Sequence, residues 1–224
     1  MINIIVLSFV YLVGISLLLI FNELNYLRLK MKGEFTRKFA HFTATLAVVP
    51  FPYIFTSHWQ VLILASVFFF VLLISKRIKQ LKSIHDIDRK SMGSYLLPLS
   101  IYFTFLISDL SDNKFVFILP MLILAVSDPM ASILGTNIEN YNGKIKVFGR
   151  KLAKTYLGSG AFFASSFVIS IIAFYFHFKV FNLQTFLLAF IIALTGTLAE
   201  LVSWRGSDNL TIPLNVVVVL ILFL

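Results

Sequence analysis

The 224 residues contain no cysteine, which excludes a disulfide framework and any thiolate metal site. Charge is scarce too. Only 13% of the residues are Asp, Glu, Lys or Arg, whereas 59% are hydrophobic. With a mean hydropathy of +0.93, so much apolar surface cannot be hidden in a soluble domain of this length, and the chain reads as an integral membrane protein. No Gly-x-x-x-x-Gly-Lys-Ser/Thr segment occurs, which removes the Walker type of phosphate loop. The first apolar run has neither a basic leader nor a small-residue cleavage site; it is expected to be a retained helix and not a removed signal.

Eight apolar stretches follow one another: 2–21, 39–55, 59–75, 92–108, 115–135, 156–178, 181–201 and 210–224. They predict a single all-α transmembrane domain over 1–224 with seven to eight helices, several near or below the roughly 17 to 25 residues of a spanning helix, the eighth being short. The loops at about 22–38, 76–91, 136–155 and 202–209 hold seventeen of the nineteen Lys and Arg residues, leaving only Lys114 and Lys179 on the other side. Short cytoplasmic loops collect basic residues, so these four loops are expected inside the cell and the N-terminus outside. Attraction to anionic headgroups alone would also explain a basic face. No nucleic-acid partner is expected.

Inside the fifth stretch stands Asp128, followed by Pro129. An ionisable group at that depth is expensive and by default functional. Pro129 removes a backbone donor and disfavours helical geometry at Asp128, and Ser127 or Asp128 before it resembles an N-cap with proline at the first helical position. The expectation is a helix broken at Asp128-Pro129 that lines a polar cavity. The alternative is a proline kink whose Asp128 pairs with a neighbouring Lys or Arg.

Four polar clusters lie toward the basic loops. Arg37 and His41, four residues apart, share a helix face beside Lys38 and suit an anion; a structural histidine is the plainer reading. A basic loop with Gly93 and Pro98 occupies 88–99. In 128–160, Gly135, Gly149 and Gly158 let a backbone approach phosphate closely while Arg150, Lys151 and Lys154 neutralise its oxygens. Small residues such as Gly158 and Ser159 also permit tight helix packing. Finally, Glu200, Asp208 and Asn209 flank one short turn. Their oxygens suit Mg²⁺ completed by substrate phosphates, or Asp208 is simply an N-cap.

In this order the clusters resemble the CTP-dependent polyprenol and lipid-alcohol kinases, which include dolichol, phytol and farnesol kinases and a yeast-type diacylglycerol kinase, and which are related to phosphatidate cytidylyltransferases. Arg37-Lys38 with His41 resembles the family's Arg-Lys-x-x-His element. Gly93 with Pro98-Leu99 resembles Gly-x-x-x-x-Pro-Leu, and Asp128 with Ala131 and Gly135 resembles Gly-Asp-x-x-Ala-x-x-x-Gly. Gly149 to Ser159 resembles Gly-Lys/Arg-Lys-Ser/Thr-x-Glu-Gly-Ser, and Glu200 with Asp208-Asn209 and Pro213 resembles the family's ending. Ser127 stands where the family has glycine, Ser132 where alanine is usual, and Leu157 where it has an acidic residue.

The resemblance implies phosphoryl transfer from CTP to a polyprenol, a phytol- or farnesol-like alcohol or diacylglycerol in the bilayer, with Mg²⁺ as cofactor. It implies Asp128, Lys38, Arg37 and His41 as catalytic residues and Gly135, Gly149, Arg150, Lys151, Lys154, Gly158, Ser159 and Asn209 as phosphate ligands. Asp128, Glu200 and Asp208 are the implied metal ligands, and Asp128 either holds metal or accepts the hydroxyl proton. A CDP-lipid-forming cytidylyltransferase and an ion- or proton-coupled transporter are the alternatives. The charge asymmetry predicts that cysteines placed at Lys82 and Lys146 react with a membrane-impermeant reagent only from the cytoplasmic side, and one at Asp112 only from outside. Reversed labelling would remove the shared cytosolic site.

Overall fold

Away from water a peptide group must be satisfied within its own segment, so apolar runs fold as helices. The computed structural model describes residues 4–29, 33–78, 80–85, 91–137, 143–147 and 150–223. Its elements are α1 (Ile4–Leu29), α2 (Gly33–Val48), α3 (Phe51–Ile54), α4 (His58–Arg77), α5 (Lys82–His85), α6 (Gly93–Leu110), α7 (Phe115–Asn137), β1 (Lys144–Val147), β2 (Arg150–Thr155), α8 (Tyr156–Phe178), α9 (Leu183–Val202) and α10 (Asp208–Phe223). The chain is an all-α polytopic membrane protein: α1, α4, α6, α7, α8 and α9 are each long and apolar enough to span. The other two expected spans are helices of 16 residues, α2 and α10. Among the described residues the regular structure other than helix is the antiparallel β1–β2 hairpin, with Lys144 opposite Thr155 and Val147 opposite Arg150.

Two sequence expectations need correcting. The stretch 39–55 is not one helix: α2 begins earlier, at Gly33, and ends at Val48, and α3 follows a turn at Pro50. Pro50 and Pro52 lack the amide donors that continuing the helix requires. The break at Asp128-Pro129 is also absent, because α7 runs through both Pro120 and Pro129. A proline costs a helix one backbone bond, but opening the chain there would orphan several more groups in apolar surroundings. Packing reinforces continuity. α7 is the central helix, 67% of its span being buried against 11% for α1, and it touches α2, α6, α8 and α10.

Consecutive spans alternate in direction, so the basic segments gather at one end. There Met92 N donates to Arg205 O at 2.8 Å. Glu23 of α1 accepts from Lys82 N (3.0 Å) and Ser83 N (2.8 Å), and Thr36 of α2 donates to Ser83 O (3.0 Å). At the opposite end His58 N donates to Asp109 Oδ2 (3.0 Å), and Lys114 lies over Tyr53. Two apolar cores fill the interior. One joins α7 to α8, α9 and α10 around Leu124, Phe162, Ile192 and Val216; the other joins α7 to α3, α4 and α6 around Phe51, Phe105, Phe117 and Met121.

α7 and α8 approach through glycine. A Cβ on Gly158 would stand 2.8 Å from the backbone oxygen of Ala131, whereas one on Gly160 would meet nothing within 4 Å. Gly158→Ala should therefore destabilise by about 1–3 kcal/mol through overpacking, while Gly160→Ala is neutral or slightly stabilising. Thermal unfolding in detergent compares the two; equal effects would show that the α7–α8 approach is not close.

Candidate functional site

The first turns of α2 present Lys38 and His41, three apart, toward α7. Asp128 sits nine residues before the end of α7, roughly 14 Å along the helix axis. Lys38 Nζ donates to Asp128 Oδ2 at 2.6 Å, and both residues are buried. His41 Nε2 lies 3.7 Å from the same oxygen. That is beyond hydrogen-bond distance, and this buried nitrogen has no other partner. Removing one member of such a pair typically costs about 3–5 kcal/mol, because the other charge is stranded. Asp128 is thus a paired carboxylate in a continuous helix.

A second ionic group forms where β2 enters α8. Thr155 caps α8, its Oγ1 accepting from Gly158 N at 3.2 Å, and the preceding Lys154 reaches two carboxylates. Lys154 Nζ is 2.5 Å from Glu200 Oε1 and 3.6 Å from Asp208 Oδ2, and Ser159 Oγ donates to Glu200 Oε2 at 3.1 Å. Burial pushes the Lys154 ammonium down, but Asp208 and Glu200 outweigh it and its pKa is raised. Glu200 ends α9 and Asp208 starts α10, so one short turn sets their spacing. That turn docks on α6: Asn209 Nδ2 donates to Gly93 O at 2.7 Å. Gly206 has φ +90, and a Cβ on it would lie 2.5 Å from Gly93 N. Only glycine fits.

The two groups are within electrostatic reach of each other. Asp128 feels Lys154, and His41 feels Asp208 as well as Asp128, Lys38 and Arg37. An apolar cavity opens beside them, with Arg37, His41, Ser94 and Asn209 at its polar end and Val48 and Phe51 at the other. Residues far apart in sequence thereby converge: Lys38 and His41 with Asp128, Lys154 and Ser159 with Glu200 and Asp208, and Arg37 and Asn209 at the cavity. Gly135 is drawn into helix packing, since a Cβ there would be 3.5 Å from the Gly158 Cα. Gly149 and the side chains of Arg150 and Lys151 lie outside the described residues.

For a divalent ion, the described residues offer a pair and not a triad. No three of His, Asp or Glu gather as a metal-holding group among them, and Asp128 is held by Lys38 away from the other carboxylates. Glu200 and Asp208, however, already enclose a cation, the Lys154 ammonium. Two carboxylates with substrate phosphates are what Mg²⁺ usually takes. Reading the sequence missed Thr155, Gly206 and Ser94. The first had a signal, a threonine just before a helix start; the role of Gly206 needs the partner backbone at Gly93 to become visible.

No protein-family model, curated protein or solved structure matches this chain.

Lys154→Met should leave Glu200 and Asp208 facing each other uncompensated, a loss toward the lower end of about 3–5 kcal/mol because Lys154 is partly exposed. Lys154, its folded pKa raised, contributes fully below the roughly 10.4 of a free lysine, and that contribution disappears as the pH rises through the folded value. Unfolding of both proteins in detergent from neutral to strongly alkaline pH checks this, since the gap between them should close as the pH rises through the folded value.

Proposed function

We propose that the chain is a membrane-embedded phosphotransferase that moves a phosphoryl group from a nucleoside triphosphate to the hydroxyl of a lipid alcohol. One observation carries the reading. The segments resembling the lipid-alcohol kinases, dispersed between Arg37 and Pro213, supply the Lys38–Asp128 and Lys154–Glu200–Asp208 groups to one end of the bundle, beside an apolar cavity. The acceptor is dissolved in the bilayer and the donor in water, so the two must meet at a polar boundary backed by apolar walls. The basic loops put that boundary on the cytoplasmic side and the N-terminus outside. CTP as donor rests on the resemblance alone.

Phosphoryl transfer requires positioning and charge neutralisation more than covalent chemistry. In this reading the acceptor oxygen enters at His41 and Asp128. The oxygen forms a bond to the γ-phosphorus, the bond from that phosphorus to the β–γ bridging oxygen breaks, and the nucleoside diphosphate leaves. The hydroxyl proton passes to the Asp128 carboxylate, which Lys38 holds in place through its 2.6 Å bond. Arg37 and Lys154 face the phosphates. Bound between Glu200 and Asp208, Mg²⁺ would neutralise phosphate charge there.

The test offers purified protein a panel of lipid alcohols, and phosphatidate in parallel, with γ-labelled CTP, ATP, GTP or UTP and with α-labelled CTP. Label should pass to the alcohols from the γ position; transfer of α-label to phosphatidate would instead make the protein a cytidylyltransferase, and transfer of neither withdraws the enzyme reading. Asp128→Asn should lower turnover by about 10²–10⁴, while Arg77→Ala, on the exposed end of α4, leaves it unchanged. Near-normal turnover in a folded Asp128→Asn protein would reduce Asp128 to a structural partner of Lys38.

A further inference from the structure

The cavity has a shape that its wall residues define. α2 contributes Arg37, His41, Ala44 and Val48, at steps of four, three and four. α4 contributes Leu64, Phe68 and Leu72, and α6 contributes Ser94, Pro98 and Ile101. Each set is one stripe of one helix. The space these stripes bound runs along the helix axes. Its width comes from small side chains, Ala40, Ala44 and Ala65. From His41 to Val48 it follows seven residues of α2, about 10 Å, with Phe51 just beyond. An extended chain advances about 1.2 Å per bond, so on the order of ten chain atoms fit.

The two ends differ. At the basic end His41 is buried with an unpartnered Nε2 near Asp128. At the other, Phe51 closes the space and is itself wedged: Tyr11 packs edge-on at 5.1 Å, Phe55 at 4.8 Å, and Phe117 is stacked at 6.3 Å. α1, the least buried span, supplies Ile15 and Leu19 to the side wall.

We propose that this cavity binds the hydrocarbon tail of the acceptor, that it holds about ten main-chain carbons counted from the hydroxyl, and that Phe51 sets the limit. The inference rests on the phosphotransferase reading for the word acceptor. A very long polyprenol overruns Phe51. The hydroxyl lies at His41 and Asp128, and the tail runs between α2, α4 and α6.

Photolabelling tests tail binding without turnover. The full chain in lipid vesicles is irradiated with alkyl alcohols of graded length, each with a diazirine at the tail end, and adducts are mapped by mass spectrometry. Alcohols of about ten carbons should label residues near Val48 and Phe51. Ala44→Trp should cut that labelling at least tenfold, whereas Val168→Trp, on the outward face of α8, leaves it unchanged. Phe51→Ala should move the preferred length upward; should that variant not fold, Val48→Ala carries the same expectation. Labelling confined to outward faces and insensitive to Ala44→Trp overturns the cavity assignment even if phosphoryl transfer is observed. Cavity labelling with the expected length preference, but no transfer from any nucleotide, sustains the tail site and removes only the kinase reading.

Discussion

Everything at the basic end depends on burying charge in pairs. Asp128 lies deep along the central helix and would be untenable alone; Lys38, arriving from α2 at 2.6 Å, makes it tolerable. The pair ties α2 to α7. Without it the 16-residue α2, the least apolar of the long helices, would have little reason to lie against the core. Once α2 is seated, His41 and Arg37 face the cavity, and the stripe from Ala40 to Val48 becomes its wall.

The second charged group obeys the same rule with different parts. Glu200 is almost wholly buried and is satisfied from two directions, by the Lys154 ammonium and the Ser159 hydroxyl. Both donors come from one short piece of chain, the end of β2 and the first turn of α8. The hairpin thus delivers a cation to the mouth of the bundle, where loops alone would leave its position to chance. Glycine contacts complete the arrangement, since only with Gly135 facing Gly158 does α8 come close enough to α7 for Lys154 to act near Asp128.

Much of this was legible in the residues. Helices follow from apolar runs because the bilayer leaves the backbone no other partner, and Lys38, His41, Asp128, Lys154, Glu200 and Asp208 were visible as polar groups in or beside such runs. What was hidden has physical reasons. The continuity of α7 through Pro129 depends on neighbours that make a broken helix costlier than a missing bond. The early start of α2 escaped hydropathy because its first turns carry Glu34, Arg37 and Lys38. The cavity is a void made by alanines of α2 and α4, and voids have no sequence signature until the helices are assembled. The need for glycine at 206 comes from the Gly93 backbone lying against it, a contact that exists only once α6 and the α9–α10 turn are assembled.

The pinned turn between α9 and α10 has a consequence for life in membranes of different thickness. Helices answer a mismatch by tilting and sliding, and Lys38 and Asp128, on separate helices, must follow with side-chain adjustment. Glu200 and Asp208 are held otherwise: they flank a single turn whose backbone is fixed against α6 by the Met92–Arg205 bond and by Asn209 on Gly93. Their separation is a property of that turn, indifferent to how the spans lean, so the acidic half of the site keeps its geometry as the lipid around it changes.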